Sequence, residues 1–176
     1  MDAAAAADEA ARRRREAAER YRPERVRLLI VAHAPPERVG RYFYFETISE
    51  KDDLFRYVVK GLFGSFPERR EKTIWLGRLH DAGVFLVDPM ERPYDGSDLA
   101  LHVPDLVERV RQLDPEHVVL IKVDVFDAAY RGLCAAGLTV VNKRIPFPGS
   151  GQQRRFESAF AAAIQAIGWL VPDSSA

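Results

Sequence analysis

Residues 26–36 read VRLLIVAHAPP and leave the backbone little choice of structure. Val26, Leu28, Leu29, Ile30, Val31 and Ala32 form a nearly unbroken apolar run, preceded and interrupted by Arg25 and Arg27. A short continuous apolar run, rich in branched side chains and closed by prolines, has the pattern of a strand buried on both faces. It ends at His33-Ala34-Pro35-Pro36, where the prolines rule out a helix. Strands buried on both faces belong to parallel sheets, and ligands of open parallel sheets gather outside the carboxyl ends of the strands. His33 therefore stands at the rim of a prospective site, or is a neutral histidine bonded to nearby backbone.

Three further apolar runs, at 84–87, 118–123 and 138–141, have the same character. Helical patterns separate them. In 49–63 the apolar residues Leu54, Phe55, Val58, Val59 and Leu62 share one face, with Ser49 a candidate N-cap and Gly64 a stop. A second helix is expected over 68–82, with Ile74, Trp75, Leu76 and Leu79 inward. Others follow at 104–113, 126–136 and 152–169. Strands alternating with helices predict an α/β fold: a three-layer α/β/α sandwich on a four-stranded, mainly parallel central sheet. Residues 2–20 are alanine, arginine and glutamate with two aspartates, with high helix propensity and no stripe of large apolar groups. We therefore divide the chain into a solvated helical extension (1–22), one domain (23–171) and a disordered tail (172–176). The Arg12–Arg15 run of the extension reads as a solvated face or a polyanion contact.

Lys plus Arg and Asp plus Glu number 26 each, so the net charge is zero and no overall basic character marks a nucleic-acid partner; a local basic patch remains open. The single cysteine, Cys134, excludes an internal disulfide and a four-cysteine metal or iron–sulfur site. It fits a reducing compartment, so a cytoplasmic protein is expected, nucleoid-associated if bacterial. No apolar run approaches the roughly 20 residues of a membrane helix, and alanines ahead of arginines reverse the order of a signal peptide. No metal or cofactor is implied, no membrane partner is expected, and a monomer is.

The predicted strand ends bring His33, Asp88, Lys122, Asp124 and residues 142–151 to one edge. Between the first strand and the first helix lie four successive aromatics, Tyr42, Phe43, Tyr44 and Phe45. Four in a row cannot all face one side of a regular element. They form a stacking platform for a flat ligand, or a lid over the core with two rings in and two half out. Pro148-Gly149-Ser150-Gly151-Gln152 precedes the last helix, and free N–H groups at a helix N-terminus suit an anion. Lys143, Arg144, Arg154 and Arg155 surround that point and oppose the helix dipole unless an anion sits there. The bland alternative is a tight turn with solvated arginines. Neither a Walker A loop nor a dinucleotide-type GxGxxG is present.

The ordered set VAHAPP, YFYF, FLVDP and VNKRIPFPGSGQQRRF resembles the uracil-DNA glycosylase superfamily from about residue 26 to 167. The resemblance implies that family's fold and DNA as partner. It implies a water-positioning motif after the first strand, a ring stacked on an extruded base, a base-reading residue after the second strand and a DNA-gripping motif after the last. Carried over, His33 falls where many members have Asp or Glu, Asp88 where an asparagine often reads uracil, and Phe147 at the usual His or Asn of the second motif. His33 and Asp88 then take the chemistry. Ala34, Tyr42, Phe43, Tyr44 and Asn142 take the base, and Lys143, Arg144, Phe147, Pro148, Gly149, Ser150, Gly151, Gln152 and Arg154 the DNA phosphates. A carboxylate at 88 suits an exocyclic amine or ring N–H better than the O4 carbonyl of uracil. The expected function is binding of DNA with an extruded base and hydrolysis of its N-glycosidic bond in base excision repair. The alternatives are a non-catalytic nucleic-acid or nucleotide binder on the same scaffold and a hydrolase or transferase of free nucleotides.

Overall fold

A computed structural model describes residues 3–47 and 52–170. In chain order the regular elements are α1 (Ala3–Arg20), β1 (Leu28–Val31), α2 (Asp53–Phe63), α3 (Lys72–Asp81), β2 (Val84–Val87), α4 (Val103–Leu113), β3 (His117–Leu120), α5 (Val123–Ala135) and α6 (Gln153–Ala166). Short 3-10 turns at Arg69–Glu71 and Leu99–His102 lead into α3 and α4.

The expected buried strand is the middle of the sheet. Strand order is β2-β1-β3, both pairings are parallel, and Leu28 lies beside Val84 on one side and His117 on the other. All four residues of β1 are wholly buried. Helices flank the sheet: α3 packs on β2, α5 on β3, and the pairs α2–α6 and α4–α5 pack together. The α2–α6 approach is close at Gly61, where any Cβ would strike the Phe160 ring.

Among the described residues the sheet has three strands, where four were expected. The run 138–141 follows β3 and bonds to it: the Val118 N–H donates to the Thr139 carbonyl and the Val141 N–H to the Val118 carbonyl. Only isolated bridges result, at Val140 and Ile145. The ladder breaks because the Lys143 N–H turns back onto the Val141 carbonyl, which throws 142–144 out of line before Ile145 returns.

Three other expectations are corrected. The N-terminal helix is not merely solvated: Ala10, Ala11 and Arg14 are buried, and Ala17, Ala18 and Tyr21 pack on the core. Their spacing is helical, but alanines carry too little apolar area to show as a stripe. In α3, Ile74 is 58% exposed and Lys72 takes an inward position with Trp75, Leu76 and Leu79. Helix α5 starts at Val123, since Lys122 adopts a φ of 79° and turns the chain straight out of β3. Ser49 and the tail 172–176 lie outside the described residues. Among those residues no helix is long and apolar enough to cross a membrane.

Candidate functional site

A cleft of about 620 Å³ opens at the carboxyl ends of β1 and β2. Its floor is Ala32 and Leu86, and His33, Ala34, Pro36 and Asp88 come from the two strand ends. Tyr42 and Phe43 line it from the loop after β1, and Phe147, Gly149, Ser150 and Gly151 from the loop before α6. Segments distant in sequence thus meet on one cavity, because parallel strands all deliver their C-termini to one edge.

His33 is mostly buried, with its Nε2 3.8 Å from Asp124 Oδ2 and its ring 5.0 Å from that of Tyr94. Burial, reinforced by Lys122, lowers its pKa against the pull of Asp124. The imidazole is therefore neutral at pH 7, with one ring nitrogen able to accept a proton. Lys122 Nζ lies 3.0 Å from Asp124 Oδ2, so the expected convergence of these residues with His33 is present.

Asp88 is partly buried where β2 ends. Burial lifts its carboxyl to about 7, although the His33 backbone N–H, Arg109 and Arg14 each favour the charged form. Such a group holds a proton near neutral pH and can donate as well as accept a hydrogen bond. Its backbone is fixed from behind: Arg109 donates to the Asp88 carbonyl at 3.1 Å and to the Pro89 carbonyl at 2.9 Å.

The four aromatics divide as the lid alternative has it, two buried and two half-buried. Tyr44 does not line the cleft. Its hydroxyl donates to the Leu86 carbonyl at 3.1 Å and accepts from the Leu86 N–H at 2.6 Å, satisfying both outward groups of an edge strand. Phe43 is 7% exposed and packs edge-on against Phe55 and Tyr44. Tyr42 stays half-buried, and its phenol is held well above the ordinary tyrosine value, chiefly by burial.

The loop before α6 reaches the cleft with Phe147, Gly149, Ser150 and Gly151 but not with Pro148, Gln152 or Arg154, which do not line it. Ser150 and Gly151 have φ of 51° and 80°, and the Gln152 N–H closes the turn on the Gly149 carbonyl. Asn142, Lys143 and Arg144 are exposed and outside the lining, and Arg144 pairs with Asp127 at 2.6 Å. The break in the fourth strand carries those three side chains away.

Two residues escaped the sequence reading. Lys72, 1% exposed, forms an ion pair with Asp52 of the cleft lining and donates to the Tyr42 carbonyl at 3.2 Å. It occupies the first position of the 72/75/76/79 face, a spacing that was visible, but lysine is normally solvated. Arg14 is the other, in a run of four similar residues. Among the described residues no group of His, Cys, Asp or Glu is arranged to hold a metal ion. No protein-family model matches the chain, and a search of curated proteins finds no match.

Proposed function

We propose that this chain is a DNA glycosylase-like protein: it binds DNA with one base extruded into the cleft and hydrolyses the N-glycosidic bond of a damaged or deaminated base. The observation that carries the reading is the meeting of a neutral His33, a near-neutral Asp88 and the rings of Tyr42, Phe43 and Phe147 on one cavity of about 620 Å³. That volume accommodates a flat heterocycle with its sugar. The rings offer faces and edges to the base. Asp88 in its protonated form donates to a ring nitrogen or carbonyl of the departing base; ionised, it accepts from an exocyclic amine. His33 orients the attacking water and accepts its proton, assisted by the negative charge of Asp124. The Gly149–Gly151 backbone approaches the flanking phosphate at the start of α6.

Single-turnover assays on oligonucleotides carrying one altered base each test this directly. The expected result is release of one class of base, slowed about 100-fold or more by His33→Ala and by Asp88→Asn. Release of no base from any substrate would end the enzymatic reading.

One observation favours a second reading, a non-catalytic nucleotide or nucleic-acid binder. Lys143, Arg144 and Arg154 stand outside the cleft, and among the described residues Arg41 is the arginine or lysine that lines it. Few phosphate contacts would give a shallow dependence of binding on salt, whereas duplex DNA held by several cations gives a steep one.

A further inference from the structure

Behind the cleft lies a second cavity, of about 230 Å³, and Tyr42, Leu86 and Asp88 line both. Asp88 therefore stands in the partition between them. One wall of the rear cavity belongs to α1, through Ala11, Arg14, Arg15, Ala18 and Glu19. Arg14 is only 4% exposed. Its Nη2 donates to the Pro36 carbonyl at 2.6 Å, and its buried Nε–H has no acceptor among the described residues. A helix that carried arginine merely for solubility would turn it outward, as α1 turns Arg12, Arg13 and Arg15.

We propose that Arg14 is a positioning residue of the cleft: from α1 it pins the Pro36 wall and presents its charge to Asp88 across the rear cavity. The N-terminal helix is then a working part of the site. This deepens the functional reading above and rests on it for the role of Asp88.

Two cations favour the charged form of Asp88, Arg109 more strongly than Arg14, and Arg14 is the one that no ion pair shares among the described residues. Arg109 of α4 is committed to the Asp88 and Pro89 carbonyls and to Asp105. On α1, Arg15 pairs with Glu91 at 3.5 Å and Glu19 with Arg22 at 3.3 Å. The loop after β1 contributes the His33 backbone N–H and the Tyr42 hydroxyl. Arg14 forms no ion pair among the described residues, so its field falls on Asp88, whose ionised form in turn favours the charged guanidinium against burial.

The test is the titration of Asp88 by carbon NMR in the free full-length protein, with Asp88→Asn for assignment. Arg14→Gln keeps a donor for Pro36 and removes the charge; Arg14→Lys keeps the charge. The expected result is a rise of about one pH unit in the Asp88 midpoint for Arg14→Gln, tenfold in proton affinity, and little change for Arg14→Lys or for Arg15→Gln. An unmoved midpoint in folded Arg14→Gln overturns the proposal. So does an equal rise in the glutamine and lysine variants, which would mark a packing effect. A second readout needs no variant: the Arg14 Nε resonance of the wild-type chain should shift with the same midpoint as Asp88, and an unresponsive resonance also overturns it. Both readouts are taken without DNA. A wild-type chain that neither binds DNA nor releases a base would therefore remove the functional reading and leave this coupling standing.

Discussion

The two walls of the cleft are built by opposite means. The wall formed by the ends of β1 and β2 is held by side chains from outside the sheet: Arg14 on the Pro36 carbonyl, Arg109 on the Asp88 and Pro89 carbonyls, Lys72 on the Tyr42 carbonyl and Tyr44 on both polar groups of Leu86. The facing wall, from Phe147 to Gly151, is held by its own backbone. The Gly149 N–H bonds to the Phe147 carbonyl, the Gln152 N–H to the Gly149 carbonyl, and Phe147 stays 39% exposed. The first wall is a template whose backbone carbonyls are already bonded, and the second is a surface loop free to meet a ligand. Damage to the first should therefore appear as lost stability, and damage to the second as lost binding.

The largest effect is expected at Lys72. Lys72→Met leaves the Asp52 carboxylate without its partner in a partly buried place, which should cost about 3–5 kcal/mol in denaturant unfolding. Adding Asp52→Asn should restore much of the loss. If Lys72→Met alone costs less than 1 kcal/mol, the template wall is not held as described.

Asp88 comes next, and its effect depends on pH. Its carboxyl titrates at about 7 in the folded chain, above the ordinary 3.8. Between those values the native state binds more protons than the unfolded state. Stability should therefore fall as pH rises from about 4 to 7, then level off. Asp88→Asn abolishes that dependence: at pH 8 the variant should be more stable than the wild type by on the order of 2 kcal/mol, a figure reduced for screening by cleft water. At pH 4 the gain should vanish. Thermal melts across this range check the sign.

Tyr44→Phe is the third step. It removes an acceptor and a donor from Leu86 at the sheet edge, at a cost of about 1–2 kcal/mol in the same unfolding measurement. The smallest stability change is expected in the opposite wall. Phe147→Ala should alter stability by less than about 0.5 kcal/mol, yet weaken nucleic-acid binding about tenfold in a fluorescence titration, by loss of one stacking ring. A large loss of stability there would erase the distinction between the walls.

Much of this was legible in the residues. The continuous apolar runs 26–32 and 84–87 stated the buried parallel strands, and the parallel arrangement then placed His33, Asp88 and the glycine loop on one edge. The run 138–141 misled because a strand needs backbone partners on a ladder as well as apolar side chains, and the turn at Val141–Lys143 ends that ladder. Tyr44 misled because a ring beside a site looks the same in sequence whether it faces a ligand or caps an edge strand.

The sequence by itself determined the three strands of the sheet, most of the helices and the arrival of His33, Asp88 and the glycine loop at the sheet edge. Those depend on local periodicity, turn residues and the order of elements along the chain. Only the tertiary structure decided which charges are taken out of water. Arg14 and Lys72 look in the sequence like any solvated cation, yet each is buried against a carbonyl of the cleft wall. Burial is set by what packs on a residue from distant parts of the chain, and it governs the proton affinity of Asp88.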